Sequence, residues 1–290
     1  MKKAAVANLK GGVGKSSTTL FLAEHWAVFQ HRKVLVMDLD PQANASYMLL
    51  SRDGVEQAKN ARQTLLHLFE DTLREHPQNA MAYIVPRASD LTVINGNGAQ
   101  SFVSIVPSIP KLWFQQYDLD RHLYTIGQDP VATLTALLQG FLDKVAQNYH
   151  CVLFDCPPGF GTLSRAALQI ADHIVAPTIA DYTSMRSLQD FVTLGLTDTL
   201  HLDVDRKLHV VVSKFTGTNS QMQALDILRQ SYRVREPVIP MRDQVQVVAE
   251  RHATQTRTYA QKYGRPITRP LKPHVKGMSD ALYNAIFVQT

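Results

Sequence analysis

Val, Ile and Leu gather in short runs, bounded by turn residues and separated by stretches of helical period. That is the pattern of an α/β chain with a mostly parallel sheet. The runs predict strands at 4–9 (AAVANL), 33–39 (KVLVMDL), 91–96 (LTVING), 150–156 (HCVLFDC), 173–178 (HIVAPT) and 208–215 (LHVVVSKF). Helices are expected over 15–30, 61–69, 130–148, 161–171, 183–199, 219–232, 243–256 and 277–287. The central runs are apolar on both strand faces, so helices should cover both sides of the sheet. Two stretches lack this rhythm. Residues 97–129, with Pro107, Pro110 and the aromatics Trp113, Phe114 and Tyr117, are expected to form an irregular lid or a packed side helix. Residues 265–277, with three prolines, are expected to run extended over the surface.

Composition adds boundaries to that picture. A chain of 290 residues that is 45% hydrophobic and 19% charged is ordinary globular material, expected to fold as one domain over 1–290. No run approaches the roughly 18 apolar residues of a membrane span, and the start is too short for a secretory signal, so a cytoplasmic location is expected. Cys151 and Cys156 sit five apart on one predicted strand, about 16 Å when extended, too far to pair. The net charge of +5 is unevenly spread. Residues 1–205 carry 16 Lys/Arg against 20 Asp/Glu, and residues 206–290 carry 14 against 5. A basic C-terminal third behind an acidic body points to a polyanionic partner, nucleic acid before membrane.

The first predicted strand runs into "NLKGGVGKSSTTL" (8–20) and then into an unbroken helical pattern. Gly11, Gly12 and Gly14 free the backbone so that N–H groups can close on phosphate oxygens, and the helix adds its N-terminal partial charge. In such a cradle Lys15 reaches the β- and γ-phosphates, Ser16 ligates Mg²⁺, and Ser17 or Thr18 binds the α-phosphate. The strict G-x-x-x-x-G-K-[ST] pattern fails, because Leu9 stands where its first glycine belongs. "KGGVGKS" instead resembles the deviant Walker A motif of the ParA/MinD family of ATPases, a P-loop NTPase fold, and the preceding Asn-x-Lys looks like its ParA branch. The resemblance implies contacts to ATP from Lys10, Gly11, Gly12, Val13, Gly14, Lys15, Ser16 and Ser17. It also makes Lys10 the signature lysine, which reaches the nucleotide of a second subunit in an ATP-bound homodimer.

Hydrolysis further needs a metal ion held in place and a water aimed at the γ-phosphorus. "DLDPQANA" (38–45) resembles the family's switch I, and its Asp38 and Asp40 share one face of an extended strand. The resemblance assigns Asp40 to the attacking water and Asp38 to Mg²⁺ or its waters. "VLFDCPPGFG" (152–161) has the apolar run and acid of a Walker B strand and resembles switch II. Asp155 should hold Mg²⁺ through water, with Gly159 and Gly161 freeing the turn. "VVVSKF" and "PVIPMRDQ" resemble the later strand and the segment near adenine, which nominates Lys214, Pro240, Met241 and Arg242 for the base.

The basic third has few aromatics among its cations, so contact with phosphates rather than base stacking is expected, non-specific and salt-sensitive. Arg229, Arg233 and Arg251 are the candidates for DNA. The family resemblance implies nucleoid DNA bound by the ATP dimer, an adaptor of the ParB kind that stimulates hydrolysis, and a role in segregating or positioning cargo. The chain opens almost directly on the phosphate strand, which leaves no room for an N-terminal helix-turn-helix and argues against site-specific operator binding. A MinD-like membrane-cycling ATPase is the alternative, but it calls for a basic amphipathic C-terminus, and "GMSDALYNAIFVQT" has no Lys or Arg. An iron-protein-type reductase needs cluster cysteines, whereas both cysteines here lie on the Walker B strand. A CobQ-type ligase has no need of a basic third.

Overall fold

The computed structural model describes residues 1–74, 78–91, 102–241, 244–249 and 257–288. Six strands form one parallel sheet: β1 (Lys2–Val6), β2 (Val34–Asp38), β3 (Val103–Val106), β4 (Cys151–Asp155), β5 (His173–Ile179) and β6 (Leu208–Ser213). Their spatial order is β3-β2-β4-β1-β5-β6, and every pairing between these six strands is parallel; outside them, Val85 makes an antiparallel bridge to Ile105 of β3. The expected α/β class, with a mostly parallel sheet between helices, is what the chain forms. The strands are buried almost throughout because helices cover both faces, as a sheet of continuous Val, Ile and Leu runs requires.

The helices are α1 (Lys15–Phe29), α2 (Asn44–Asn60), α3 (Leu65–Leu73), α4 (Leu112–Thr125), α5 (Pro130–Val145), α6 (Thr162–Ile170), α7 (Tyr182–Asp190), α8 (Val204–Lys207), α9 (Asn219–Ser231), α10 (Gln244–Ala249), α11 (Tyr259–Tyr263) and α12 (Lys272–Tyr283). α7 continues through a wide π-helical segment, Phe191–Thr199. α1 is central and buried from Thr18 to Ala27, so it has no polar face to show a hydrophobic periodicity.

Of three expectations, one lies almost wholly outside the described residues, one holds in part and one needs correction. Of the predicted strand 91–96, residues 92–96 lie outside the described residues, and the edge strand is Val103–Val106. Of the stretch 97–129, residues 97–101 lie outside the described residues, Val103–Val106 form β3, which was not expected, and Leu112–Thr125 form α4, the side helix that was. The segment 265–277 is not extended either, since α12 starts at Lys272 with a proline in its first turn, where the missing N–H costs nothing. α2 was hidden from a periodicity reading because Ser51 leaves helical geometry in its middle (φ 66°) and Gly54 follows.

The C-terminal helix closes the core. Val275, Met278 and Leu282 are buried, Trp26 Nε1 donates to the Ser279 carbonyl at 3.0 Å, and His25 Nε2 lies 2.8 Å from Asp280 Oδ1. Beside this contact lies a buried ionic knot. Lys262 Nζ meets Glu24 Oε1 at 2.6 Å and Asp90 Oδ1 at 2.9 Å, Tyr263 Oη donates to Glu24 Oε2, and Arg257 Nε donates to Asp90 Oδ2. Two acids and two bases balance, which is what allows them to be buried at all.

Candidate functional site

Parallel strands bring their C-terminal ends to one edge, and the loops after β1, β2 and β4 meet there. Backbone bonds lock them together: Cys156 N–H to Val6 O, Leu39 N–H to Asp155 O, and Gly159 N–H to Leu9 O, at 2.9–3.1 Å. Gly12 (φ 74°) and Gly14 (φ 88°) take left-handed backbone that a side chain would strain, and so turn the chain from β1 into α1.

The result is a cleft of about 420 Å³. Gly11, Gly12, Gly14, Lys15, Ser16 and Ser17 line it together with Asp40 and with Lys214, Pro240 and Met241. Val13 is buried beneath, where its carbonyl accepts from Ser213 Oγ at 2.7 Å. Lys214 holds left-handed backbone (φ 53°) without being glycine, a strain that often marks a working position. Arg242 lies outside the described residues.

Lys15 is buried, and its ammonium donates to the carbonyls of Lys10 (3.0 Å) and Asn8 (3.3 Å). Burial lowers its pKa, opposed by Asp155, Cys156 and Asp40. Asp38 and Asp155 are register partners on β2 and β4 and lie below the cleft floor, fully buried. Thr19 Oγ1 donates to Asp155 Oδ1 at 2.9 Å, while Asp155 Oδ2 is buried without a partner. Burial raises the Asp155 pKa to about 6, opposed by the neighbouring hydroxyls of Ser16 and Thr19. A buried acceptor left open beside Ser16 fits a hydrated cation, since Mg²⁺ keeps most of its waters and takes one or two protein oxygens.

The two switch I acids differ. Both oxygens of Asp38 are used inside the protein: Oδ1 accepts Asp40 N–H at 3.1 Å, and Oδ2 accepts Ser46 N–H at 2.8 Å and Ser46 Oγ–H at 2.6 Å. Burial first and then Asp155 raise its pKa well above the carboxylate range. Asp40 lines the cleft, with Oδ1 accepting Gln42 N–H at 2.9 Å, and burial raises its pKa against Gln42 and Lys15.

Lys10 stands apart from the cleft lining. Its ammonium donates to Thr183 Oγ1 (2.8 Å) and Ser184 Oγ (2.7 Å) and lies 3.6 Å from Asp181, all at the start of α7. Of the cations expected to meet DNA, Arg229 is held by Asp226 and Glu236, Arg233 is exposed, and Arg251 lies outside the described residues.

Sequence reasoning missed Thr19, Ser46 and the Asp181–Ser184 turn. Thr19 could have been found, being one helical turn after Lys15 and on the same face. Ser46 lies eight positions after its partner Asp38, across a turn whose shape the pattern does not give, and the Asp181–Ser184 turn could not be found because its partner Lys10 is distant in the chain.

The AAA domain family (AAA_31) matches residues 1–210. The sporulation initiation inhibitor protein Soj of Bacillus subtilis is 26% identical over 240 residues, which cover 81% of this chain and 83% of that protein. The chromosome partitioning protein ParA of Myxococcus xanthus is 28% identical over 204 residues, 68% of this chain and 61% of that protein. Among solved structures, a putative plasmid partition protein of Borrelia burgdorferi bound to AMPPNP superposes with a TM-score of 0.70 at 17% identity, over 98% of this chain and 99% of that one.

Proposed function

The chain belongs to the ParA/MinD-like partitioning ATPases of the AAA domain family, and on that premise we propose that it is a Mg²⁺-dependent ATPase that self-associates around its nucleotide to segregate or position a cargo. The observation that carries this reading is the meeting of the glycine loop with two strand-end acids, Asp155 with an open buried oxygen and Asp40 on the cleft wall.

In this reading the Gly11–Ser17 backbone and Lys15 bind the phosphates, and Ser16 and Asp155 hold Mg²⁺. When bound, that ion neutralises charge on the β- and γ-phosphates. Asp40 orients the water that attacks the γ-phosphorus. Asp38 positions Asp40 by holding its N–H, and any further contribution to the metal goes through water, because its own oxygens are occupied. Lys214, Pro240 and Met241 bound the base. Lys10 serves the nucleotide of a second copy, so residues 1–290 work as one unit of a homodimer. Non-specific DNA and an adaptor that stimulates hydrolysis are the partners this function requires. The membrane-cycling alternative calls for a free basic amphipathic C-terminus, whereas α12 packs on α1, with Trp26 Nε1 donating to the Ser279 carbonyl.

The test is phosphate release with and without Mg²⁺ by the wild type and by Asp40→Ala. The expected result is Mg²⁺-dependent hydrolysis that falls by about 10²-fold or more in the variant while ATP still binds. Wild-type turnover in Asp40→Ala rules out its role at the water. No ATP binding by the wild type overturns the reading as a whole.

A further inference from the structure

The loop after β4, residues 156–161, carries one aromatic side chain between two glycines, Gly159 (φ 93°) and Gly161. Glycines on both sides give the loop little backbone preference of its own, so its position has to be fixed by contacts. That position matters to the cleft. Pro158 is part of the lining, and a methyl group at Gly11 would meet Pro158 Cβ at 3.9 Å.

Phe160 supplies the contact. Its ring rests on Gly195, in the π-helical continuation of α7, so closely that a methyl group there would lie 3.0 Å from Cε2, 3.2 Å from Cζ and 3.4 Å from Cδ2. Phe191 meets the ring edge-on, 6.3 Å between centres. The Arg165 guanidinium stands 6.0 Å from the ring centre, and its buried Nε has no hydrogen-bond partner. Glycine is a poor residue for a helix interior, and Gly195 is buried in one; the close approach of Phe160 explains why no side chain stands there. π-helical turns are themselves rare and gather at working sites. The supporting helix is also tied to the glycine loop, because its first turn binds Lys10 through Thr183 and Ser184. Beyond the ring, Thr162 Oγ1 donates to Asp120 Oδ2 at 2.7 Å, so the loop is pinned on both sides of Gly161.

We propose that Phe160 is a positioning residue for hydrolysis, seated on Gly195 to hold residues 156–161 in place against the glycine loop. This role rests on the proposed ATPase activity and adds to it a side chain that does not line the cleft. It acts through Asp155 and Pro158, which precede Phe160 on the same connection. Gly159 N–H, bonded to Leu9 O at 3.0 Å, joins that connection to the start of the glycine loop and reports whether it is held. A loop freed from its seat leaves Gly11–Ser17 and Lys15 able to bind phosphates. Alignment then suffers rather than affinity, and a displacement of about 1 Å can cost about 10²-fold in rate.

The experiment compares the wild type with Phe160→Ala, Gly195→Ala, the double variant, and Leu194→Ala, whose side chain is exposed on the same π-helical segment. Two quantities are read: kcat and KM for Mg·ATP, and the hydrogen exchange of residues 156–162 in nucleotide-free protein. Phe160→Ala is expected to lower kcat about tenfold or more with KM within about threefold of wild type. Exchange of residues 156–162 should be about tenfold faster in this variant. Gly195→Ala should lower kcat about threefold or more, although alanine is the better helix former. In the double variant the added methyl meets no ring, so kcat should equal that of Phe160→Ala and the two effects should not multiply. Leu194→Ala should stay near wild type. If Phe160→Ala does not fold, Phe160→Leu takes its place in the comparison, with the same direction expected. Wild-type kcat in the folded Phe160 variant, effects that multiply in the double variant, or a lower kcat with unchanged exchange each overturn the inference. So does a higher KM at wild-type kcat. A wild type that does not hydrolyse ATP overturns the proposed function, while the exchange data still decide whether Phe160 holds the loop.

Discussion

Lys10 Nζ donates to Ser184 Oγ at 2.7 Å, a bond between the glycine loop and α7 of the same chain. In the proposed cycle this ammonium must leave Ser184, Thr183 and Asp181 to serve a second copy, so the α7 turn competes with association. Lys10→Ala is expected to bind ATP close to wild type yet to lose ATP-dependent self-association in light scattering. Thr183→Val removes one of the competing acceptors and should associate at lower protein concentration. Equal association by all three proteins would falsify the role of Lys10.

Asp155 gives a prediction whose sign is opposite to that of an ordinary ion-paired acid. Its folded pKa, about 6, lies above the usual carboxylate value near 3.8. The stability tied to its protonated form is therefore complete below about pH 4 and lost as pH rises through about 6. At pH 7.5 the nucleotide-free Asp155→Asn variant should melt higher than the wild type. Mg·ATP, which should raise the wild-type midpoint, should raise that of the variant much less. A variant that melts lower in the absence of nucleotide contradicts the burial argument.

The knot around Lys262 should be expensive to break from one side. Lys262→Met leaves Glu24 and Asp90 buried with one balancing charge removed, and about 3–5 kcal/mol of stability should be lost in urea unfolding. Because Glu24 sits on α1, the helix that begins at Lys15, ATP affinity should weaken along with stability. A decrease below about 1 kcal/mol would mean that water reaches the site.

His209 sets a limit on the acid side. It is held neutral in the fold, at about 3, while an unfolded imidazole titrates near 6.5. Between those values the unfolded chain takes up a proton that the folded chain refuses. The stability is complete above about pH 6.5 and declines as pH falls, by up to about 1.4 kcal/mol per unit. His209→Gln should flatten the decline between pH 7.5 and 5, and an unchanged slope would assign it to other groups.

What the sequence determined by itself was whatever depends on neighbours in the chain. The glycine loop is a local device: positive φ at Gly12 and Gly14, then Lys15 and Ser16 opening a helix, need nothing distant to be recognised. Five of the six strands were legible because a buried parallel strand must be apolar on both faces, and Asp38, Asp40 and Asp155 were legible because they end such strands. The edge strand β3 was not, since four residues stopped by Pro107 are too short to show a period. Tertiary structure alone decided which polar groups share a partner. It turned Lys10 toward α7, joined Lys262 to Glu24 across 238 positions, and neutralised Arg229 with Glu236. It also laid the Phe160 ring on Gly195, a contact between a loop and a helix that are separate in the chain. The physical reason is that local sequence fixes backbone conformation and burial. Charges act through space, and their balance is set only when the sheet has brought distant loops together.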